Sequence, residues 1–449
     1  MSPFDSLSPS LALSLFFVLA LCTGLLLKFW LATRQIRHVA RHRASVPAAF
    51  AERISLAAHQ KAADYTIAKA RLGLIELAWG AAILVGWTLL GGLDALNQAL
   101  LAALGGGMVQ QLALLACFAL IGGLLELPLS LYATFGLEQR FGFNQMTPAL
   151  WLSDLLKSTL VGALIGLPLA ALILWLMGAA GTLWWLWAWA AWMGFNLLLL
   201  WLYPSFIAPW FNQFKPLQDA ALTARVTALM QRCGFAAQGL FVMDGSRRSA
   251  HANAYFTGFG RSKRVVFYDT LLAQLEPAEV EAVLAHELGH FKRRHITQRM
   301  VGMFALSLVG FAALGALAAQ GWFYTGLGVL PNLSLDGSAP NDALALLLFL
   351  LALPTLSFFV SPLLAQWSRR HEFEADAYAA HQADAGALRS ALLKLYQDNA
   401  STLTPDPLYA AVYYSHPPAS ERLARLPPTA QAQLPCSLKK TGPANPEAR

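Results

Sequence analysis

The sequence predicts a mainly α-helical, polytopic membrane protein with seven transmembrane helices and a cytoplasmic domain that contains a small β-hairpin or sheet. Hydrophobic residues make up 57 % of the 449 residues and charged residues only 13 %, and the mean hydropathy is +0.49. These values lie far outside the range of soluble proteins of this length. The apolar residues are concentrated in runs that are long enough to cross a bilayer, whereas two segments late in the chain are markedly more polar.

Seven apolar runs are predicted to be membrane spans. They lie near residues 9–31, 72–96, 109–134, 156–178, 181–208, 299–323 and 342–366. The first run is too long, and too weakly charged at its start, for a cleaved signal peptide, so we expect it to be a permanent span.

These spans predict the organisation of the whole chain. Five parts are expected: spans one to five with their loops (1–208), a first soluble segment (209–297), spans six and seven (298–366), a second soluble segment (367–426) and a poorly ordered tail (427–449).

Loop charges predict the orientation of the spans. The segment after the first span is rich in basic residues, whereas the loops between spans two and three and between spans six and seven contain no Lys or Arg. The basic residues are Lys28, Arg34, Arg37, Arg41, Arg43, Arg53, Lys61, Lys69 and Arg71. The positive-inside rule therefore places this segment, and with it both soluble segments, in the cytoplasm.

Charge and cysteine content exclude other classes of protein. The net charge of +7 is typical of a membrane protein whose cytoplasmic loops face anionic lipid. No basic or aromatic module indicates binding of nucleic acid. The four cysteines are scattered without a C-x-x-C pair, so neither a disulfide framework nor a cysteine metal site is predicted.

The run A-H-E-L-G-H places His286, Glu287 and His290 in a helix-forming stretch that is predicted to begin at Pro277. Four residues are close to one helical turn, so the two histidines share a face and their imidazoles can hold one zinc ion. The glutamate beside the first histidine can take a proton from a water molecule that the zinc activates. This arrangement predicts hydrolysis of an amide bond.

The same helix has features that favour close packing. Gly289 is a weak helix former, and a small residue there allows another backbone or a substrate to come close. The predicted apolar face consists of Val280, Val283, Leu284 and Leu288.

A third zinc ligand is expected, because catalytic zinc usually takes three protein ligands and leaves one position for water. The run R-R-H-E-F-E-A-D supplies Glu372 as this ligand. Asp376 lies one turn later on the same helix face, where it can accept a ring N–H from a ligating histidine and fix its tautomer. Glu374 and His371 point away from that face and are predicted to be a solvated acid and a non-ligand.

Short strands are predicted in the first soluble segment. A helix near 216–233 and a strand at 239–243 precede two apolar segments, 254–260 and 264–268, which flank G-R-S-K and read as a β-hairpin. The edge of such a hairpin can pair with an extended peptide and lay it across the metal, although a purely structural sheet is the alternative. In the spans, Glu76 and Glu126 require either a partner or a wet interior, and the sequence leaves both open.

The sequence resembles the type I CAAX prenyl endopeptidases, the Ste-type membrane zinc metalloproteases. The resemblance runs through nearly the whole chain. Besides H-E-L-G-H and E-F-E-A-D, it covers L-E-Q-R-F-G-F-N-Q-M-T (137–147), Y-P-S-F-I-A-P-W-F-N-Q-F-K-P-L (203–217), N-A-Y-F-T-G-F (253–259) and S-H-P-P-A-S-E-R (415–422).

The resemblance implies a zincin-like metalloprotease domain at the cytoplasmic rim of a seven-helix ring that encloses a chamber. It also implies one Zn²⁺ per chain, a catalytic role for Glu287, and a peptide or protein substrate with or without an isoprenyl group. The implied zinc ligands are His286, His290 and Glu372, and the implied substrate-side residues are Asn253, Ala254, Tyr255, His416 and Arg422.

Two of these residues are given narrower roles. His416 is expected to donate a hydrogen bond to the developing oxyanion. Arg422 is expected to order the pocket or pair with an acid rather than to take part in the chemistry.

The sequence also leaves alternative functions open. The main alternative is a quality-control protease of the heat-shock type that cleaves misfolded membrane proteins. A transporter with a structural metal is disfavoured because the spans show no repeat of broken helices, and a pseudo-protease is disfavoured because Glu287 is present. The Ala- and Leu-rich composition favours a bacterial inner membrane, with the active site on the cytoplasmic side.

Overall fold

The computed structural model describes residues 8–235, 239–257, 264–332 and 340–427. In chain order the helices are α1 (Pro9–His42), α2 (Leu56–Trp87), α3 (Gly92–Leu104), α4 (Met108–Leu131), α5 (Gln139–Phe141), α6 (Pro148–Ala179), α7 (Trp184–Leu202), α8 (Ala208–Phe211), α9 (Ala220–Arg232), α10 (Asp269–Gln274), α11 (Pro277–Lys292), α12 (His295–Ala318), α13 (Gly321–Gly326), α14 (Asp342–Ser357), α15 (Ser361–Gln382), α16 (Ala385–Asp398), α17 (Pro407–Tyr413) and α18 (Ala419–Arg425). The strands are β1 (Phe214–Pro216), β2 (Leu240–Met243), β3 (Ala254–Thr257) and β4 (Arg264–Tyr268).

The membrane part of the described chain consists of long apolar helices. Six helical segments in the described residues are long and apolar enough to cross a bilayer, and the bent pair of α14 with α15 makes a seventh if it is counted as one span. The six are Pro9–His42, Leu56–Trp87, Met108–Phe141, Pro148–Ala179, Gly181–Phe211 and His295–Ala318. The predicted fold class is confirmed, and a small mixed sheet accompanies these helices.

The seventh span differs from the continuous run predicted at 342–366. The axes of α14 and α15 differ by 66°. Pro354 lies inside α14 and Pro362 lies in the first turn of α15, and proline inside a helix removes a hydrogen bond and crowds the preceding turn. Beyond the bend, α15 packs against α11 in the soluble part.

The second span also differs from its predicted bounds of 72–96. Helix α2 ends at Trp87, the chain turns at Gly91 with φ of 76°, and α3 follows as a separate helix. Hydropathy did not reveal this turn because the residues on both sides of it are apolar. The first span is also longer than predicted. Helix α1 continues to His42, so Arg34, Arg37 and Arg41 lie on this helix rather than in a loop.

The soluble part contains a four-stranded sheet with the strand order β1-β2-β4-β3. Strands β3 and β4 are antiparallel, with Ala254 opposite Phe267 and Thr257 opposite Arg264. The predicted hairpin pairing is therefore confirmed. Its G-R-S-K turn lies outside the described residues, as does nearly all of the predicted tail. Within the described residues β3 is an edge strand.

The core of the soluble part fixes α11 in place. Val280, Leu284 and Leu288 are each 1 % exposed and pack in one apolar cluster with β4 and α16. Gly289 lies against α15: a Cβ built there would be 2.9 Å from the Cα of Ala375. The small residue thus permits close approach of another backbone, and it brings α11 and α15 together where their polar side chains face each other.

Candidate metal centre

Helix α11 presents two imidazoles on one face. The Nε2 atoms of His286 and His290 lie 3.2 Å apart, and the two rings are nearly perpendicular, with an interplanar angle of 82°. This proximity follows from the four-residue spacing, because such residues stack one above the other along a helix.

Glu372 on α15 completes a cluster of three possible ligands. Its Oε2 lies 3.4 Å from His286 Nε2, and its Oε1 lies 3.4 Å from His290 Nε2. One donor atom from each residue falls within 4.8 Å of the others, and no second group of this kind occurs in the described part of the chain. Donors at zinc-ligand bond lengths around one tetrahedral ion lie about 3.3–3.4 Å apart, which matches these separations.

The donor set fits a bound cation because one buried oxygen has no other partner. Glu372 is 1 % exposed, and its Oε2 has no hydrogen-bond partner among the described residues. A buried carboxylate oxygen without a partner is unfavourable, and a cation would satisfy it. Two imidazoles with one carboxylate are a donor set of catalytic zinc sites.

Asp376 lies behind His286, as the helix spacing predicts. The distance from His286 Nδ1 to Asp376 Oδ1 is 2.8 Å. The carboxylate holds the proton on Nδ1, so Nε2 is the nitrogen of the same ring that would bind a cation.

Arg422 occupies the same side of His286, away from the three converging donors. Its Nε and Nη2 donate to the two carboxylate oxygens of Asp376 at 2.8 and 2.6 Å, and the residue is only 7 % exposed. This bidentate ion pair occupies the guanidinium. Arg422 thus pairs with an acid, as expected, and its substrate-side role implied by the resemblance stays a prediction.

In the metal-free chain the pKa values of the two histidines are shifted in opposite directions. Burial disfavours the charged form of His286, but the nearby carboxylates of Asp376 and Glu372 outweigh this effect and raise its pKa to about 9. Burial and the neighbouring charge on His286 lower the pKa of His290 to about 3. At neutral pH the pair thus holds one extra proton, which a cation must displace.

Glu287 follows His286 on α11. Burial raises the pKa of the Glu287 carboxyl above its ordinary value. A carboxyl group whose pKa is raised toward neutrality is better suited to accept and return a proton near pH 7.

His416 lies on the loop between α17 and α18, at the accessible side of the cluster. Its Nε2 is 3.4 Å from Glu372 Oε1, and its side chain is 64 % exposed. Its Nδ1 lies 3.1 Å from Ser415 Oγ. A substrate at the cluster could therefore meet this imidazole.

His371 and Glu374 do not belong to the three-ligand cluster. The ring of His371 is buried and stacks on His295, with centroids 4.0 Å apart. Glu374 is half exposed, and its Oε2 lies 3.1 Å from His295 Nε2. The buried His295 was not among the residues predicted for the site, although its position five residues after His290 was a signal.

The residues expected to contact substrate lie at edge strand β3. The Asn253 carbonyl accepts a hydrogen bond from Tyr268 N (3.0 Å), and its side-chain Oδ1 accepts from Ala254 N (2.8 Å). Tyr255 pairs with Val266 of β4. The outer side of this strand is the side at which an extended chain could be added.

The segment 137–147 holds the chain just before that strand. Ala250 N donates to the Phe143 carbonyl at 3.1 Å, and the His251 ring stacks on Phe143, with centroids 4.4 Å apart. A segment between two membrane helices thus fixes the approach to Asn253. Sequence reasoning found the motif but assigned it no role.

A cavity of about 1000 Å³ lies between His416, beside the centre, and the membrane helices. Its lining extends from His416 to Glu76 on α2 and Lys28 on α1. Glu76 therefore faces a cavity, whereas Glu126 lies on the exposed surface of α4. Five tyrosines also line the cavity: Tyr65, Tyr396, Tyr409, Tyr413 and Tyr414.

Comparison with known families accounts for most of the chain. Residues 35–213 match a domain described as the CAAX prenyl protease N-terminal domain with five membrane helices, and residues 216–430 match peptidase family M48.

Curated relatives and a solved structure are similar over much of the chain. The CAAX prenyl protease 1 homolog of Arabidopsis thaliana is 38 % identical over 66 % of this chain and 69 % of its own length. CAAX prenyl protease 1 of Saccharomyces cerevisiae is 36 % identical over 71 % and 72 %. The crystal structure of S. mikatae Ste24p superposes with a TM-score of 0.85 at 29 % identity, over 94 % of this chain and 99 % of that one. The chain therefore belongs to peptidase family M48 and is a multi-pass membrane metalloendopeptidase of the branch that carries the CAAX prenyl protease N-terminal domain.

Proposed function

We propose that this protein is a zinc endopeptidase that cleaves isoprenylated CAAX-type substrates near their C-terminus. Membership of a metallopeptidase family implies a metal cofactor. The observation that carries the choice of site is the convergence of His286, His290 and Glu372 around a buried oxygen that has no other partner. Two nitrogen donors and one carboxylate favour zinc over the harder cations, which prefer oxygen ligands.

The residues of the chain divide the chemistry among them. When bound, zinc would lower the pKa of a water molecule and polarise the scissile carbonyl. Glu287 accepts the proton of the attacking water and returns it to the leaving amine nitrogen. Asp376, held by Arg422, keeps the His286 proton on Nδ1 so that Nε2 faces the cation.

His416 is the candidate donor to the oxyanion. It lies on the exposed side of the cluster, 3.4 Å from Glu372 Oε1. An imidazole N–H aimed at the position where negative charge develops would stabilise the transition state more than the substrate.

Edge strand β3 is the candidate peptide-binding element. An extended substrate added alongside it would use main-chain hydrogen bonds for affinity, with Asn253, Ala254 and Tyr255 along its path. Since Ala254 shares the apolar core of α11, the substrate backbone would be placed near the helix that carries Glu287.

The cavity supports a lipid-modified substrate. It is at the upper end of the range of ligand pockets, about 300–1000 Å³, and it joins His416 to helices α1 and α2. The CAAX prenyl protease relatives in plants and yeast suggest the substrate class by their names. We place the centre on the cytoplasmic face because the segment after the first span is rich in basic residues and is predicted to lie on the same side as both soluble segments. The composition favours a bacterial inner membrane.

The test compares a prenylated CAAX peptide with its unprenylated twin, using purified full-length protein with and without a chelator. We expect chelator-sensitive cleavage of the prenylated peptide at a rate at least tenfold above that of its twin. Equal rates on both peptides would support the heat-shock type of quality-control protease. Cleavage that survives chelation and complete metal removal would contradict the zinc mechanism itself.

A further inference from the structure

We propose that His295 and Glu374 form a hydrogen-bonded relay that positions His290 for metal binding. Both are positioning residues, since neither belongs to the three-ligand cluster. The inference rests on the zinc centre proposed above and adds to it a support for the second histidine ligand.

The relay is a continuous chain of polar contacts. The Nδ1 atoms of His290 and His295 lie 3.0 Å apart, and the Nε2 of His295 lies 3.1 Å from Glu374 Oε2. The rings of the two histidines are inclined by 72°. The three residues thus connect the end of α11, the start of α12 and the middle of α15.

One set of tautomers satisfies every contact. His290 presents Nε2 to the cation cluster, so its proton must sit on Nδ1 and be donated to His295 Nδ1. His295 then carries its own proton on Nε2 and donates it to the Glu374 carboxylate. A ligating histidine commonly donates its other N–H to an acceptor, which fixes the ring orientation and raises its basicity.

The geometry around His295 fixes the ring. The residue is 1 % exposed, and its ring is nearly parallel to that of His371, at 6° and 4.0 Å. His371 in turn contacts Gln298 Oε1 through Nε2 at 3.2 Å, so it supports His295 by packing and does not extend the relay.

The local backbone is also shaped for this contact. Arg294, between the two helices, adopts a left-handed conformation with φ of 59°. A residue other than glycine adopts this conformation at a cost, so the surrounding structure must stabilise it. The turn folds His295 back beneath His290, five residues earlier in the chain.

The two histidine ligands are therefore supported differently. The Nδ1 atom of His286 contacts the Asp376 carboxylate directly, whereas the Nδ1 atom of His290 is linked to a carboxylate through the imidazole of His295. Because the Glu374 side chain is 51 % exposed, we expect removal of His295 to have the larger effect and removal of Glu374 a smaller one.

The experiment measures zinc affinity of the purified full-length protein in detergent, by competition with a chromophoric chelator. His295→Phe keeps the stacked aromatic ring but removes both nitrogens, and we expect its zinc dissociation constant to rise about 10–100-fold. The matched control is His371→Phe, which replaces the other ring of the stacked pair and leaves the contacts among His290, His295 and Glu374 intact. We expect its affinity to stay within about threefold of wild type, with similar thermal unfolding of both metal-free variants.

Two further variants keep the inference testable if His295→Phe folds poorly. Glu374→Gln retains an acceptor oxygen, whereas Glu374→Ala removes it from a half-exposed position that should not affect folding. We expect zinc affinity to fall in the order wild type, Glu374→Gln, Glu374→Ala.

The outcomes separate the relay from the zinc centre. Wild-type affinity in His295→Phe, or in Glu374→Ala if the former is unfolded, would overturn the relay and leave the centre standing. Failure of the wild-type protein to bind zinc, or unchanged affinity in His290→Ala, would overturn the proposed function as well.

Discussion

Replacement of Gly289 by alanine should weaken zinc binding, because it should force α11 and α15 apart. A Cβ at this position would lie 2.9 Å from the Cα of Ala375 and 3.1 Å from its carbonyl oxygen. Both are backbone atoms, which cannot rotate away as a side chain can. The two helices carry the proposed ligands, His286 and His290 on one and Glu372 on the other.

The contact distances set the size of the expected effect. Carbon atoms in contact normally lie about 3.5 Å apart, so the helices must separate locally by about 0.6 Å. Metal and catalytic sites tolerate displacements of about 0.5 Å, so we expect the zinc dissociation constant to rise about tenfold. Overpacking should cost about 1–3 kcal/mol of unfolding free energy, and better helix propensity should offset about 1 kcal/mol of this loss.

The assay is zinc competition with a chelator, together with thermal unfolding of the metal-free protein. The matched control is Gly310→Ala in α12, where the nearest atom to a new Cβ is 4.0 Å away, on the Phe349 ring. If Gly289→Ala bound zinc as tightly as this control, the close helix contact would not be what sets the ligand separation.

Three further predictions follow from the same centre. Glu287→Gln should keep zinc while turnover falls about 10²–10⁴-fold, and unchanged turnover would remove Glu287 as the base. Asp376→Leu leaves Arg422 buried without its counter-charge and should cost about 3–5 kcal/mol; adding Arg422→Met should restore stability but not zinc affinity, and recovery of both would show that the pair is only structural. The pKa of His286 is about 9, so the ring carries a proton at pH 7 that zinc must displace. Zinc affinity should therefore rise as pH increases from 7 to 9, by up to about tenfold per unit. A zinc affinity that is constant over this range would contradict the exchange of the proton for zinc.

Much of the centre could be predicted from residue spacing, because hydrogen-bonded helices repeat regularly. A four-residue spacing places His286 beside His290, and the same spacing places Asp376 one turn from Glu372. Hydropathy also identified the long apolar helices, six or seven in number, since a bilayer demands a minimum apolar length. These properties depend on residues that are close together in the chain.

The tertiary structure decided which distant residues meet. His295 and Glu374 are 79 residues apart in sequence, and Arg422 reaches Asp376 across 46 residues. No local pattern encodes such contacts, because they depend on how α11, α15 and α18 pack. The pairing of Arg422 with Asp376 behind His286 could be found only in three dimensions.

Neither the bends nor the cavity could be derived from hydropathy or residue spacing. Hydropathy averages over the turn at Gly91 and over the bend between α14 and α15, because apolar residues lie on both sides of each. The sequence by itself determined the membrane character of this protein and the residue types of the proposed ligands and the proposed base. Only packing decided that the helices bring those ligands within 3.4 Å of one another and that a cavity extends from His416 to helices α1 and α2, because both depend on the distance between whole helices and not on residue identity along one of them.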